Sequence, residues 1–236
     1  MSVNYLKVIA VTAIAFSSLN ILAQENRSSW AGPYAQIGLI GYESYIPKSA
    51  NGTTTIPAFG NTYSNTSTAT HANGPVANVA VGYNFEINDR YLLGIGAALY
   101  PGHSRSANAT LTTLDTPIGT KTGTGTYDVS NVFSFSLLPA YAFDNNHLAY
   151  LKIGYAGSTL NANSTSYPQQ STRVSGIVYG AGYKQMITES IYGFLECNYA
   201  VNKSKTVSVL TDSGSTINST LNATGYDFLL GVGYRF

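Results

Sequence analysis

The last eleven residues of the chain alternate with a period of two. Tyr226, Phe228, Leu230, Val232, Tyr234 and Phe236 share one face, and Asp227, Leu229, Gly231, Gly233 and Arg235 share the other. Strict alternation marks a half-buried strand. The two faces are arranged the wrong way round for a protein in water. The first is wholly apolar and aromatic, too bulky for a narrow interior. The second is mostly small or charged and cannot fill an apolar core. The arrangement suits a strand with lipid on one side and a polar lumen on the other. A soluble ligand-binding barrel of the lipocalin type would need the faces inverted.

The same split recurs along the chain. Val79, Val81, Tyr83 and Phe85 oppose Asn78, Ala80, Gly82, Asn84 and Glu86. After Asn88-Asp89-Arg90, Tyr91, Leu93, Ile95, Ala97 and Leu99 oppose Leu92, Gly94, Gly96, Ala98 and Tyr100. Val129, Phe133, Phe135 and Leu137 are read as outward, against Ser130, Ser134 and Ser136. Ala149, Leu151, Ile153 and Tyr155 oppose Tyr150, Lys152, Gly154 and Ala156. Ile177, Tyr179, Ala181 and Tyr183 oppose Gly176, Val178, Gly180, Gly182 and Lys184. Leu195, Cys197, Tyr199 and Val201 oppose Tyr192, Phe194, Glu196 and Asn198. The first strand, near Tyr34 to Tyr45, alternates less cleanly, with Ala35, Ile37 and Leu39 read as outward. These patterns predict eight strands, near 33–45, 75–87, 90–100, 127–143, 147–157, 174–187, 190–201 and 225–236. Each meets the ~9–11 residues a membrane strand needs. Three connections are tight, near Asn88, Asn145 and Thr188. Four are long, roughly 46–74, 101–126, 158–173 and 202–224, and rich in Ser, Thr, Asn and Gly. Short turns on one side and long loops on the other predict an all-β, eight-stranded antiparallel transmembrane barrel with periplasmic turns and four extracellular loops. A further hairpin hidden in the first or second loop would make the count ten.

Composition agrees. Only 10% of the 236 residues are charged, against about 25% in soluble domains, yet mean hydropathy is +0.01. No apolar run reaches the ~20 residues of a membrane helix. Residues 1–23 read as an export signal: Lys7, then an apolar core from Val8 to Phe16, then Ala23 before the cut. The barrel then occupies 24–236. Losing Lys7 leaves 11 basic and 11 acidic residues, a neutral chain without the basic face that nucleic acid requires. Cys197 is the only cysteine, so no intramolecular disulfide forms and closure of the sheet must supply the stability.

The opening Trp30-Ala31-Gly32-Pro33-Tyr34 resembles the first strand of small outer-membrane barrels. So do Leu137-Leu138-Pro139-Ala140-Tyr141 and Leu151-Lys152-Ile153-Gly154-Tyr155 beyond the next turn. The ending Gly231-Val232-Gly233-Tyr234-Arg235-Phe236 resembles the C-terminal signal of that class, with a terminal Phe. The resemblance is to the OmpA-like and opacity-type superfamily and covers the mature chain. It implies location in a bacterial outer membrane and contact with the barrel assembly machinery through Tyr226, Phe228, Leu230, Val232, Tyr234 and Phe236. The resemblance is to the barrel alone, without a peptidoglycan-binding domain, so a wall-tethering role is not expected from it.

An eight-stranded barrel is just wide enough for its own side chains to fill. Lys152, Lys184 and Glu196 are expected to form an interior ion-pair cluster. Arg235 lies lower, within reach of Glu86 or Glu196, and Asp227 lies nearer the loops. Such charges serve either as a polar plug or as a constriction in a narrow pore for ions or small hydrophobic molecules. Tyr100, Tyr150 and Tyr192 are expected to occupy the space left by inward glycines. Tyr83, Phe85, Tyr91 and Tyr234 are expected to form an interfacial girdle. His71, His103 and His147 are scattered. No outward strand pairs a His with a Ser, and His103 beside Ser104 is a weak signal, so the chain is read as non-enzymatic. No metal-ligand spacing occurs, and no cofactor is implied. The expected role is structural, in envelope integrity, by a monomer. Host or cell-surface ligands would be met through loops 46–74 and 101–126.

Overall fold

The computed structural model describes residues 28–236 apart from 48–49, 166 and 222. The proposed export signal, 1–23, lies outside them. Fourteen strands are present among the described residues: β1 (Gly32–Pro47), β2 (Ala50–Ile56), β3 (Asn61–Ala69), β4 (Ala72–Pro75), β5 (Asn78–Glu86), β6 (Tyr91–His103), β7 (Ala107–Thr113), β8 (Lys121–Ala142), β9 (His147–Ser164), β10 (Tyr167–Met186), β11 (Ile191–Asn202), β12 (Lys205–Leu210), β13 (Thr216–Leu221) and β14 (Ala223–Arg235). Eight of them close into an antiparallel ring in the order β1-β5-β6-β8-β9-β10-β11-β14, with β14 paired back to β1. A closed ring leaves no strand edge unpaired, as a membrane requires of any sheet that crosses it.

The turns near Asn88, Asn145 and Thr188 join ring neighbours at one end. Their chemistry is local. Asp144 Oδ1 accepts from the backbone N–H of Asn146 and His147 at 2.7 and 2.8 Å, and His147 Nδ1 lies 2.8 Å from the same carboxylate. The contact with His147 and the two N–H groups hold the Asp144 carboxyl below its usual range. Asn88 Oδ1 similarly accepts from Arg90 and Tyr91.

The long connections are not irregular loops. Hairpin β2–β3 and hairpin β12–β13 add to β7 and the far half of β8 in the order β12-β13-β2-β3-β7-β8. Strands β9 and β10 run on past the ring and stay paired as far as Ser164 and Tyr167. The first connection therefore does hold a hairpin, but it joins this outer sheet rather than the ring, and the ring count stays at eight.

Along β14, Phe228, Leu230, Val232, Tyr234 and Phe236 are exposed while Leu229, Gly231 and Gly233 are buried. The parity read from the sequence holds for β5, β6, β9, β10 and β11 as well. Two strands depart from it, each at an inserted residue. On β1, Gly38 pairs Gly231 and Ile40 pairs Leu230, so Leu39 is extra. Such a bulge flips the faces beyond it. Ile37 and Leu39 point out as expected, but so do Ile40 and Tyr42, while Glu43, Ser44 and Tyr45 are buried. On β8, Ser130 pairs Thr159 and Phe133 pairs Gly157, and Asn131 takes the left-handed φ of 51°. Val129 therefore faces inward, at 2% exposure, correcting its outward assignment.

The aromatics expected at the interface lie next to the short turns. Tyr83 packs on Phe85 with ring centroids 4.7 Å apart, Tyr91 on Tyr141 at 5.1 Å and Tyr234 on Phe236 at 5.0 Å. The face assignment makes a quantitative prediction. Val232→Arg should cost about 2–4 kcal/mol if that position lies near the bilayer midplane. Urea titration in lipid vesicles measures it, and a change within error would contradict the lipid face.

Candidate functional site

The inward face of the ring converges on a buried cluster of charge. Lys152 from β9 and Glu196 from β11 flank β10, where Gly180 and Gly182 present no side chain between them. Their Nζ and Oε1 meet at 2.9 Å, with side chains 5% and 3% exposed. Asn198 Nδ2 donates to the same oxygen at 2.8 Å, and Tyr150 OH donates to Oε2 at 2.6 Å. A buried ion pair is tolerable only when the remaining lone pairs are also satisfied. Here both carboxylate oxygens are.

Lys184, one turn-ward step along β10, is held differently. Its Nζ sits 3.9 Å from the centroid of the Tyr34 ring, 4.8 Å from Tyr192 and 5.2 Å from Tyr150. It also donates to Tyr192 OH at 3.5 Å, and that hydroxyl donates to Gln36 Oε1 at 3.1 Å. Three ring faces offer a desolvated ammonium about 2 kcal/mol or more in place of a carboxylate. Each of the three tyrosines lies across the glycine directly opposite it: Tyr34 on Gly82, Tyr150 on Gly182 and Tyr192 on Gly233. A Cβ at any of these glycines would overlap the tyrosine ring or hydroxyl. The inward glycines are thus the seats of the rings, and Tyr100, Tyr150 and Tyr192 are all buried in the lumen.

On the loop side of Glu196, Asn198 Nδ2 also donates to Asp227 Oδ1 at 2.8 Å. Glu43 pairs across from Asp227 in the β1–β14 ladder and accepts from Tyr45 OH at 3.0 Å. The structure thus gathers Lys152, Lys184, Glu196 and Asp227. It does not bring in the other two residues singled out from sequence. Arg235 donates to the Glu189 carbonyl at 3.1 Å, at the turn end. Glu86 accepts from the Ser28 N–H at 3.1 Å. Both sit at the last residues of their strands, below the packed tyrosines, where the side chains meet local backbone first.

In the sequence Trp30 stands out only as part of the opening motif. It is 1% exposed, makes an edge contact with Tyr192 at 5.8 Å, and belongs to an apolar cluster with Leu92, Leu148 and Leu229. It closes the lumen at the turn end. Its signal in the sequence is modest: a lone tryptophan immediately ahead of the first strand. The cavity left among the charges, lined by Tyr34, Gln36, Ser136, Lys152, Lys184 and Glu196, measures about 20 Å³. That is room for one water.

His103 and the adjacent Ser104 take separate partners. His103 Nδ1 lies 2.9 Å from Asp128 Oδ1. The adjacent Ser104 Oγ instead donates to the Arg105 carbonyl at 3.2 Å and accepts from the Val129 N–H at 2.9 Å.

The closed ring and its inverted faces are those of a membrane barrel. The chain belongs to the outer membrane protein beta-barrel domain family, whose model matches residues 9–236, which places it in the outer membrane. It is similar in fold to OprG from Pseudomonas aeruginosa, with 13% identity over 87% of this chain and 96% of that one and a TM-score of 0.55. It is similar also to the outer membrane protease OmpT from Escherichia coli, with 10% identity over 86% and 96% of the chains and a TM-score of 0.51. Ail, the attachment invasion locus protein of Yersinia pestis, aligns at 15% identity over 86% and 99%, with a TM-score of 0.43. At these identities the likeness concerns fold alone. None of the curated proteins matches this sequence.

Removing one member of the buried pair should be costly because it strands the other charge. Lys152→Met is expected to destabilise the barrel by about 3–5 kcal/mol, and adding Glu196→Gln should recover part of that loss. Equilibrium unfolding of both variants tests this. A neutral Lys152→Met would show that the pair does not hold the lumen together.

Proposed function

We propose that this protein is a sealed, integral barrel of a bacterial outer membrane with a structural and surface role. Its short turns face the periplasm and its hairpins extend outward from the cell. It is exported by its first 23 residues, assembled through its C-terminal strand and active as a monomer without a cofactor. The observation that carries the reading is the packed lumen. Trp30 covers one end, three tyrosines enclose Lys184, and the Lys152–Glu196 pair and Asn198 fill the level above, around a void of about 20 Å³. A hydrated ion needs a continuous column of water, whereas this void accommodates one molecule. That geometry favours the plug over the narrow pore.

Contact with host or neighbouring cells would be made through 46–74 and 101–126. Supporting this, the two regions carry few charges, are rich in hydroxyl and amide groups, and include strands β3 and β7, which pair with each other. The pairing of His103 with Asp128, away from Ser104 Oγ, supports a non-enzymatic role.

Single-channel recording in planar bilayers tests the reading. No stable conductance is expected from the wild type. A large, long-lived open state would overturn the plug. Deleting residues 50–70 removes β2 and β3 entirely. Cells carrying this form should retain the barrel and lose attachment if the hairpin adheres, and should attach normally if it only shields.

A further inference from the structure

Beyond the ring, the outer sheet curves round a chamber of about 390 Å³. Its wall comes from β3, β7, the far ends of β8, β9 and β10, and the hairpin β12–β13. Lys205 Nζ on β12 donates to the Arg173 carbonyl on β10 at 3.3 Å, drawing the two ends of this wall together. Leu111, Leu160, Val207, Val209, Ile217 and Leu221 line the chamber. Among the described residues, no Asp, Glu, Lys, Arg or His lines it. This is unusual for a segment built of Ser, Thr and Asn, and burying these apolar groups against one another leaves the space unfilled.

The chamber does not continue into the lumen. Beneath it lies a second apolar cluster of Tyr45, Ala72, Ala107, Tyr127, Val129, Leu160 and Val174. Tyr127 spans the junction. Its hydroxyl donates to the Thr70 carbonyl at 2.6 Å and accepts from the Ala72 N–H at 3.1 Å, so its ring is fixed as part of the floor. A buried polar group of the wall is unspent among the described residues. Ser219 on β13 is 8% exposed, and its Oγ has no hydrogen-bond partner among the described residues. A buried hydroxyl without a partner costs free energy that a ligand can return.

We propose that this chamber is a binding site for a small, uncharged, largely apolar molecule carrying one hydrogen-bonding group, which Ser219 Oγ meets. The volume lies at the lower end of the ~300–1,000 Å³ usual for ligand pockets. At about 30 Å³ per water-sized group it holds about a dozen, the size of a two-ring aromatic alcohol. The described wall offers an ion no counter-charge, which favours an uncharged ligand, because a desolvated ion is costly without a partner. The closed floor makes this a site filled and emptied from the outer side rather than a stage in passage through the barrel. The proposal goes beyond the surface role above and holds whether or not the hairpins adhere.

The test uses the full-length barrel in lipid nanodiscs and 1-naphthol as probe, followed by isothermal titration calorimetry. Saturable one-to-one binding is expected. Ala162→Trp on β9 and Leu111→Trp on β7 fill the chamber from two sides and should each abolish it, with heat-modifiable gel migration confirming that the barrel is intact. Ser219→Ala should weaken 1-naphthol about fivefold and leave naphthalene unchanged. 1-Naphthalenesulfonate should not bind. Equal heats for wild type and both filled variants would mean that the probe only dissolves in lipid, and would overturn the site. Equal binding of the sulfonate would overturn the ligand class, and an unchanged Ser219→Ala affinity would overturn the role of that hydroxyl.

Discussion

In hydrocarbon there is no water to satisfy a backbone N–H or C=O, so every such group in a spanning sheet must find its partner within the protein. The rest of this structure follows from that constraint. The sheet closes, β14 onto β1, and has no edge. Closure fixes an inside and an outside, and the period of two then assigns every side chain to one or the other. The outside meets lipid, so it carries Val, Leu, Ile, Phe and Tyr. With that surface taken from water, the chain has little need of charge, and its few charges can be placed where they pair.

A small ring sets the second problem, which is filling its interior. The solution here is size complementarity across strands. Glycine opposite tyrosine lets the ring lie flat against the wall, and the three rings so placed form the cage around Lys184. Above them Glu196 collects three donors, from Lys152, Tyr150 and Asn198. The glycines, tyrosines and ions are therefore one device. Removing a glycine displaces a ring, and displacing a ring exposes an ammonium to a medium that cannot solvate it.

Much of this was legible in the residues. The ring strands, their faces and the three turns follow from alternation and turn chemistry. The gathering of Lys152, Lys184 and Glu196 follows from their parity and their distance from the turns. What escaped has specific physical causes. A bulge adds one residue and reverses the faces, and neither Leu39 nor Asn131 carries a marker of it. Parity and height put Arg235 within reach of a carboxylate, but its long side chain at a strand end finds the Glu189 carbonyl first. The hairpins in the long connections are made of Ser, Thr, Asn and Gly, whose composition speaks of solvent rather than pairing. Their order in the outer sheet depends on contacts between segments distant in sequence, such as β13 with β2, which no local pattern encodes.

The account's central claim is that one face of each ring strand meets lipid while the other is packed against a filled lumen. A nitroxide scan along residues 226–236, with Cys197 first replaced by Ser, measures both at once through collision with oxygen, which dissolves in lipid, and with a water-soluble nickel chelate. The account predicts high oxygen accessibility at 228, 230, 232 and 234, and low accessibility to both reagents at 229, 231 and 233. Strong nickel accessibility at those odd positions would mean a water-filled lumen and would contradict it.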